Sequence, residues 1–214
     1  MCADLLNMEQ EIRICEKCGA DYLHIDIMDA AFVPNLTFGP SFVNAVRRKT
    51  TLPLDIHLLM EHPCRIVRAM EICEGDIITI HVECSDRILD NITIIKQKRS
   101  RFGLALNPGT PIECIREYLP YVDVVLVMLT APGFAGNPMI NDWANRIRET
   151  RRYLQEHGHD NVEICADGGV SIECAKLLRE IGTDIFVGGS TGIFRVGTKT
   201  EDNIAAFRKA IATP

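Results

Sequence analysis

Three short runs of the 214-residue chain bring histidines and carboxylates onto alternating positions, with other side chains completing each trio. In HIDIMD these are His24, Asp26 and Met28; in LDIHLLM they are Asp55, His57 and Leu59; in ITIHVE they are Thr79, His81 and Glu83. Successive side chains of a β-strand leave from opposite faces, so each trio shares one face of its strand. Burying an imidazole or a carboxylate without a partner costs several kcal/mol, so strands that carry them must pair them or bind a cation. A buried His–Asp pair that only stiffens the fold would explain any one run; three such runs together favour a site.

A second set of residues suits an anion. The segments APGFAG (Ala131–Gly136), ADGG (Ala166–Gly169) and GGSTG (Gly188–Gly192) each follow an apolar run. Glycines let backbone N–H groups approach phosphate oxygens closely. Any one of these segments is an ordinary turn, whereas three in successive loops resemble a phosphate cradle.

The elements that must position these groups alternate along the chain. Short apolar runs predict strands at Tyr22–Met28, Leu54–Leu59, Ile77–Val82, Gly103–Leu106, Val124–Leu129, Val162–Ala166 and Ile185–Val187. Amphipathic stretches predict helices at Asp4–Cys18, Cys64–Ile72, Ile88–Lys98, Ile112–Leu119, Met139–His157, Ser171–Ile181 and Asp202–Ala212, with Gly19 and Gly158 as stop signals. Such alternation means a parallel sheet, either doubly wound and open or closed into a barrel. No GxGxxG follows an early strand, and strongly apolar strands along the whole chain suit the barrel better.

Composition narrows the classes. With 47% hydrophobic residues and no linker or low-complexity tract, residues 1–214 are read as one domain. The net charge of -6 and the lack of a Lys/Arg block argue against nucleic acid as a partner. The richest apolar run, Val122 to Leu129, is interrupted by Asp123 and far shorter than the roughly 20 residues that cross a bilayer, so no membrane is expected. The acidic start lacks signal-peptide character and the nine cysteines are scattered, which points to a reducing cytoplasm and free thiols; Cys15 and Cys18 form a CxxC without a second pair.

The segments HIDIMD, FVPNLTFGP, LDIHLLM, ITIHVE, LALNPGTP, VLVMLTAPGFAG, ADGGVS and GGSTGIF follow the order and approximate spacing of the ribulose-phosphate 3-epimerase family, which the chain resembles over nearly its whole length. The resemblance implies an α/β fold, the (β/α)8 TIM barrel, and one divalent metal ion held by residues matching His24, Asp26, His57 and Asp167. That nitrogen and oxygen set suits zinc, iron, manganese or cobalt. It further implies Asp26 and Asp167 as the two acid/base groups of a 3-epimerase acting through an enediolate, and a phosphorylated ketose as substrate. His57 would also face the substrate; its phosphate would lie against Gly133, Phe134, Ala135, Gly136, Gly168, Gly169, Gly189 and Ser190. Met28, Met60 and Met128 match positions that line the pocket, and relatives suggest a homo-oligomer.

Departures from the family carry expectations of their own. The family opens with a strand bearing a Pro-Ser-Leu motif, whereas this sequence begins Met1-Cys2-Ala3-Asp4. The expectation is a barrel that lacks its first strand and that strand's Ser, with two unpaired edges facing across a gap and a biological chain that starts upstream. Ala30 stands where relatives carry Gly, and Ala131 where many carry a polar residue. The GFAG loop and the GGSTGIF ending are closer to relatives acting on allulose 6-phosphate, which makes that sugar the alternative to ribulose 5-phosphate. Two other readings are a sugar-phosphate binder without activity, and an aldol or decarboxylation enzyme on a related barrel. The last calls for a catalytic lysine that no strand end supplies.

Overall fold

A computed structural model describes residues 1–212. Its centre is a parallel sheet of seven strands in the order of the chain: β1 (Leu23–Met28), β2 (Leu54–Leu59), β3 (Ile77–His81), β4 (Arg101–Leu106), β5 (Val124–Met128), β6 (Glu163–Asp167) and β7 (Ile185–Phe186). Each lies within two residues of its sequence expectation, because every strand is a β-branched or leucine-rich run bounded by polar turns. Helices alternate with them: α1 (Met8–Lys17), α2 (Pro40–Arg47), α3 (Cys64–Val67), α4 (Ile88–Gln97), α5 (Trp143–Glu156), α6 (Ile172–Glu180) and α7 (Thr200–Ala212). A 3-10 helix over Ile112–Tyr121 stands between β4 and β5.

Helix α2 is not among the helices that the sequence predicts. Its signals are present in retrospect: Pro40 occupies the first helical turn, where its missing N–H costs nothing, and Val43 and Val46 are buried three residues apart. Helix α5 begins at Trp143 rather than at Met139. Met139 bridges Thr130 and the Ile140 N–H donates to the Leu129 carbonyl at 2.8 Å, so these residues extend the end of β5 instead.

Strand parity sorts the side chains. Ile25, Ile27, Leu54, Ile56, Leu58, Ile78, Ile80, Leu104, Val125, Val127 and Ile164 join the helices in the main core. The opposite parity faces the inside of the curl, where Ile77, Ala105, Val124, Leu126, Met128 and Cys165 form a second apolar cluster. His24, Asp26, Asp55, His57, Thr79 and His81 belong to that inner parity, in register across the first three strands: His24 beside Asp55, Asp26 beside His57, and His57 beside Thr79.

The sheet is curled and TIM-barrel-like, with β1 and β7 as its edges, each paired on one side only. The outer layer is continuous where the sheet is not. Helix α7 packs against α1, and Arg208 donates to the Gly19 carbonyl and, at 2.9 Å, to Asp21 just before β1. At the foot of β2, buried Asp76 accepts from the Leu54 N–H at 2.7 Å and pairs with Arg47 at 3.1 Å, which sets the start of the strand that carries His57. No helix among the described residues is long and apolar enough to cross a membrane.

The turn after β1 holds Ala30 at φ +60, left-handed backbone that costs a residue with a Cβ roughly 1–2 kcal/mol. Asp29 fixes that turn by accepting from the N–H groups of Ala31 and Phe32 and, from across the loop, of Glu61. Glycine relieves the strain but loses more entropy on folding. Ala30→Gly is therefore expected to raise stability by about 0.5–1 kcal/mol in urea unfolding; an unchanged or lower midpoint would contradict the assigned strain.

Candidate active site

Strands β1, β2 and β6 bring His24, Asp26, His57 and Asp167 together, each offering a ligand atom within 4.8 Å of the others. His24 Nε2 lies 3.1 Å from Asp26 Oδ1 and 3.8 Å from Asp167 Oδ2. His57 Nδ1 lies 3.4 Å from an oxygen of each of the same two carboxylates. The His57 ring is fully buried and its Nδ1 makes no hydrogen bond. A buried polar nitrogen without a partner, set between two acidic oxygens, is the arrangement a cation completes. Two imidazoles and two carboxylates fit a divalent ion of the first transition row.

Protons answer the same electrostatic demand when no cation does. Burial opposes charging His24, but the carboxylates of Asp55 and Asp26 overcome it and hold its pKa well above the usual histidine value. Burial likewise opposes the Asp26 carboxylate, and His24 and His57 outweigh it, keeping its pKa well below the ordinary range. For His57 the burial cost is overcome by Asp167 and Asp26, which raise its pKa.

Two further carboxylates stand behind the imidazoles. Asp55 Oδ2 lies 2.7 Å from His24 Nδ1. On the other flank His57 Nε2 meets His81 Nε2 at 2.9 Å, and His81 Nδ1 lies 3.1 Å from Glu83 Oε2. The sequence alternation marked Asp55, His81 and Glu83 as inward polar residues, but nothing in it assigned them partners. Only the register of β1 with β2 and of β2 with β3 does so.

The centre opens onto a cavity of about 790 Å³ lined by Met28, Met128 and Gly133–Gly136, and by Gly168, Gly169, Gly189 and Ser190. All eight residues expected to meet a phosphate therefore border one space. Among the described residues, the N–H groups of Gly168, Gly169, Gly189 and Ser190 donate to no protein acceptor, which leaves them for an anion. Gly168 takes φ +100 directly after Asp167, and a Cβ there would come within 2.9 Å of the Thr130 nitrogen, so this turn needs glycine. The 133–136 loop is tied down by Asn35, whose amide donates to the Gly133 carbonyl at 2.6 Å, while Phe134 is half exposed at the mouth. Met60, expected beside the pocket, packs instead in the main core, because it lies past the end of β2 with the parity of Leu58.

Fold and centre together define a TIM-barrel-like enzyme whose polar centre lies on the inner face of its strands. Solved structures share the fold at low identity. Phosphoribosyl anthranilate isomerase from Thermus thermophilus superposes with a TM-score of 0.66 at 13% identity, over 95% of this chain and 94% of its own. The 3-hexulose-6-phosphate synthase of Salmonella typhimurium gives 0.62 at 13% identity, over 98% and 95%. Sequence comparison is more specific: residues 1–194 match the model of the ribulose-phosphate 3 epimerase family. Ribulose-phosphate 3-epimerase of Bacillus subtilis is 41% identical over 88% of this chain and 87% of its own length. Its namesake in Rhodobacter capsulatus is 38% identical over 97% and 91%. The chain belongs to the ribulose-phosphate 3-epimerase family, and with it to the isomerases.

His81 gives the site a pH signature. Burial, only partly offset by Glu83, pushes its pKa down from 6.5 to about 4. The unfolded chain therefore binds a proton that the folded protein refuses, and this contribution to stability falls as pH drops from 6.5 toward 4. Between pH 6.5 and 5, wild type in chelator should lose roughly 1.5 kcal/mol relative to His81→Gln. Urea midpoints that move in parallel for the two proteins would contradict a buried neutral His81.

Proposed function

We propose that this protein is a metal-dependent 3-epimerase that interconverts ribulose 5-phosphate and xylulose 5-phosphate. One observation carries the reading: the carboxylates of Asp26 and Asp167 reach the same buried imidazole from strands β1 and β6, beside a cavity whose far loops offer free N–H groups. Inversion at C3 needs a base on one side of a planar intermediate and an acid on the other. Asp26 and Asp167 take these roles and exchange them with the direction of reaction. A zinc, iron, manganese or cobalt ion held by His24, Asp26, His57 and Asp167 would polarise the ketone and make the C3 proton removable.

The other residues bind and exclude. The N–H groups at Gly168, Gly169, Gly189 and Ser190, with the Gly133–Gly136 loop, hold the phosphate dianion without needing a basic protein. Met28 and Met128 keep water from the reacting carbons on the cavity wall. The GFAG loop supports allulose 6-phosphate as the second candidate substrate, because Ala135 borders the cavity. The seven strands are read as those of a (β/α)8 barrel in one domain, with the position of its first strand unfilled. In support, β1 and β7 are each paired on one side only, and Leu23, Ile25, Ile185 and Ile204 line the same cavity. Nine free cysteines support a reducing, cytoplasmic setting.

In deuterated water with a divalent ion supplied, the wild-type protein should exchange the C3 hydrogen of ribulose 5-phosphate and form its epimer. Asp167→Asn should lower kcat by about 10²–10⁴. Running allulose 6-phosphate in parallel separates the two substrates. If both sugars stay unexchanged at every metal tested, the assignment is wrong.

A further inference from the structure

We propose that His81 and Glu83 are positioning residues for the centre: through a chain of two hydrogen bonds, Glu83 fixes His57 as the tautomer whose Nδ1 is bare and aimed at the cation. The inference rests on the metal-centre reading above and adds what sets its buried nitrogen ligand.

Between His57 Nε2 and His81 Nε2, 2.9 Å apart, only one proton fits, so one ring donates and the other accepts. The other end of the chain decides which. Glu83 Oε1 accepts the main-chain N–H of Asn107 at 2.9 Å, a group that can only donate, together with the hydroxyl of Thr110. Its second oxygen, Oε2, is 3.1 Å from His81 Nδ1, which donates to it. A neutral imidazole with its proton on Nδ1 has a bare Nε2 that can only accept. The shared proton therefore belongs to His57 Nε2, which leaves Nδ1 of the neutral ring with the lone pair.

The geometry at that nitrogen agrees. The oxygens of Asp26 and Asp167 lie 3.4 Å from His57 Nδ1 on either side, outside hydrogen-bond geometry, so no bond from the ring fixes a proton on that nitrogen. The opposite flank solves the same problem in one step, with Asp55 2.7 Å from His24 Nδ1 and His24 Nε2 turned to the centre. Ligating imidazoles are commonly oriented by a carboxylate on the far nitrogen. Here one is oriented directly and the other through an intervening ring. Arg146 supports the relay from behind, donating to the carbonyls of Asn107 and Thr110 that bracket the Glu83 anchor.

Glu83→Gln tests this with little change of shape. The Asn107 N–H keeps the amide oxygen on its side, so the amide NH₂ turns to His81 Nδ1 and drives the His81 proton to Nε2. His57 must then carry its proton on Nδ1, where a ligand lone pair is needed. Two readouts follow, neither of them activity. Long-range ¹H–¹⁵N spectra of the metal-free protein at alkaline pH should show His57 protonated at Nε2 in wild type and at Nδ1 in Glu83→Gln. Chelator competition with Co²⁺ or Zn²⁺ should show affinity about 10–100-fold weaker in the variant, while Glu83→Asp, which can still accept, recovers part of it.

A wild-type His57 protonated at Nδ1, or a folded Glu83→Gln that binds metal as tightly as wild type, overturns the relay. If Glu83→Gln does not fold, the wild-type spectrum decides alone. Because the tautomer is read without metal, a protein that shows the Nε2 proton but binds no cation refutes the metal reading and leaves the relay standing.

Discussion

The structure turns on two aspartates that the fold forces onto one imidazole nitrogen. Asp26 and Asp167 come from strands 141 positions apart in sequence and at nearly opposite ends of the sheet, yet each stands 3.4 Å from His57 Nδ1. Two carboxylates this close, largely out of water, repel each other unless positive charge lies between them. The carboxylates raise the pKa values of both imidazoles, and the imidazoles hold that of Asp26 down. A divalent ion would answer the same demand, and in the proposed reaction the two carboxylates that would hold it are also the groups that move the proton.

Holding such a cluster requires rigidity around it, and the surrounding residues supply it in layers. Asp55 and the Glu83–His81 pair fix the rings from behind. Thr37 fastens the end of β1, its hydroxyl donating to the Asp26 carbonyl and accepting from the Met28 N–H. The Arg47–Asp76 pair secures the foot of β2. The glycine-rich loops follow another rule. Their N–H groups are left unpaired where strands end, which is how the proposed site would attract a dianion to an acidic chain without basic side chains.

Much of the site was legible because β-strand periodicity is strict. Alternate positions in HIDIMD, LDIHLLM and ITIHVE must share a face whatever the fold, and in the structure all three trios point inward. The glycines of APGFAG, ADGG and GGSTG likewise announced backbone left open to a ligand, since a left-handed turn such as that at Gly168 excludes a Cβ. Helix ends were less legible. Helix α2 spans only eight residues, too few for the amphipathic pattern to stand out, and α5 starts late because Met139 and Ile140 are captured by the end of β5, an event outside any local window.

The sequence by itself determined the parity of every strand, the chemical character of the inner face and the positions where backbone must turn without a side chain. These follow from steric rules that operate within a few residues. Only the tertiary structure decided which polar groups meet: that Glu83 serves His81 and His81 serves His57, that Asp167 faces Asp26, and that Met60 belongs to the core. Those partnerships depend on the register of neighbouring strands and on the curl that brings β6 round toward β1. Both are set by the summed packing of the sheet against its helices, which no local segment encodes.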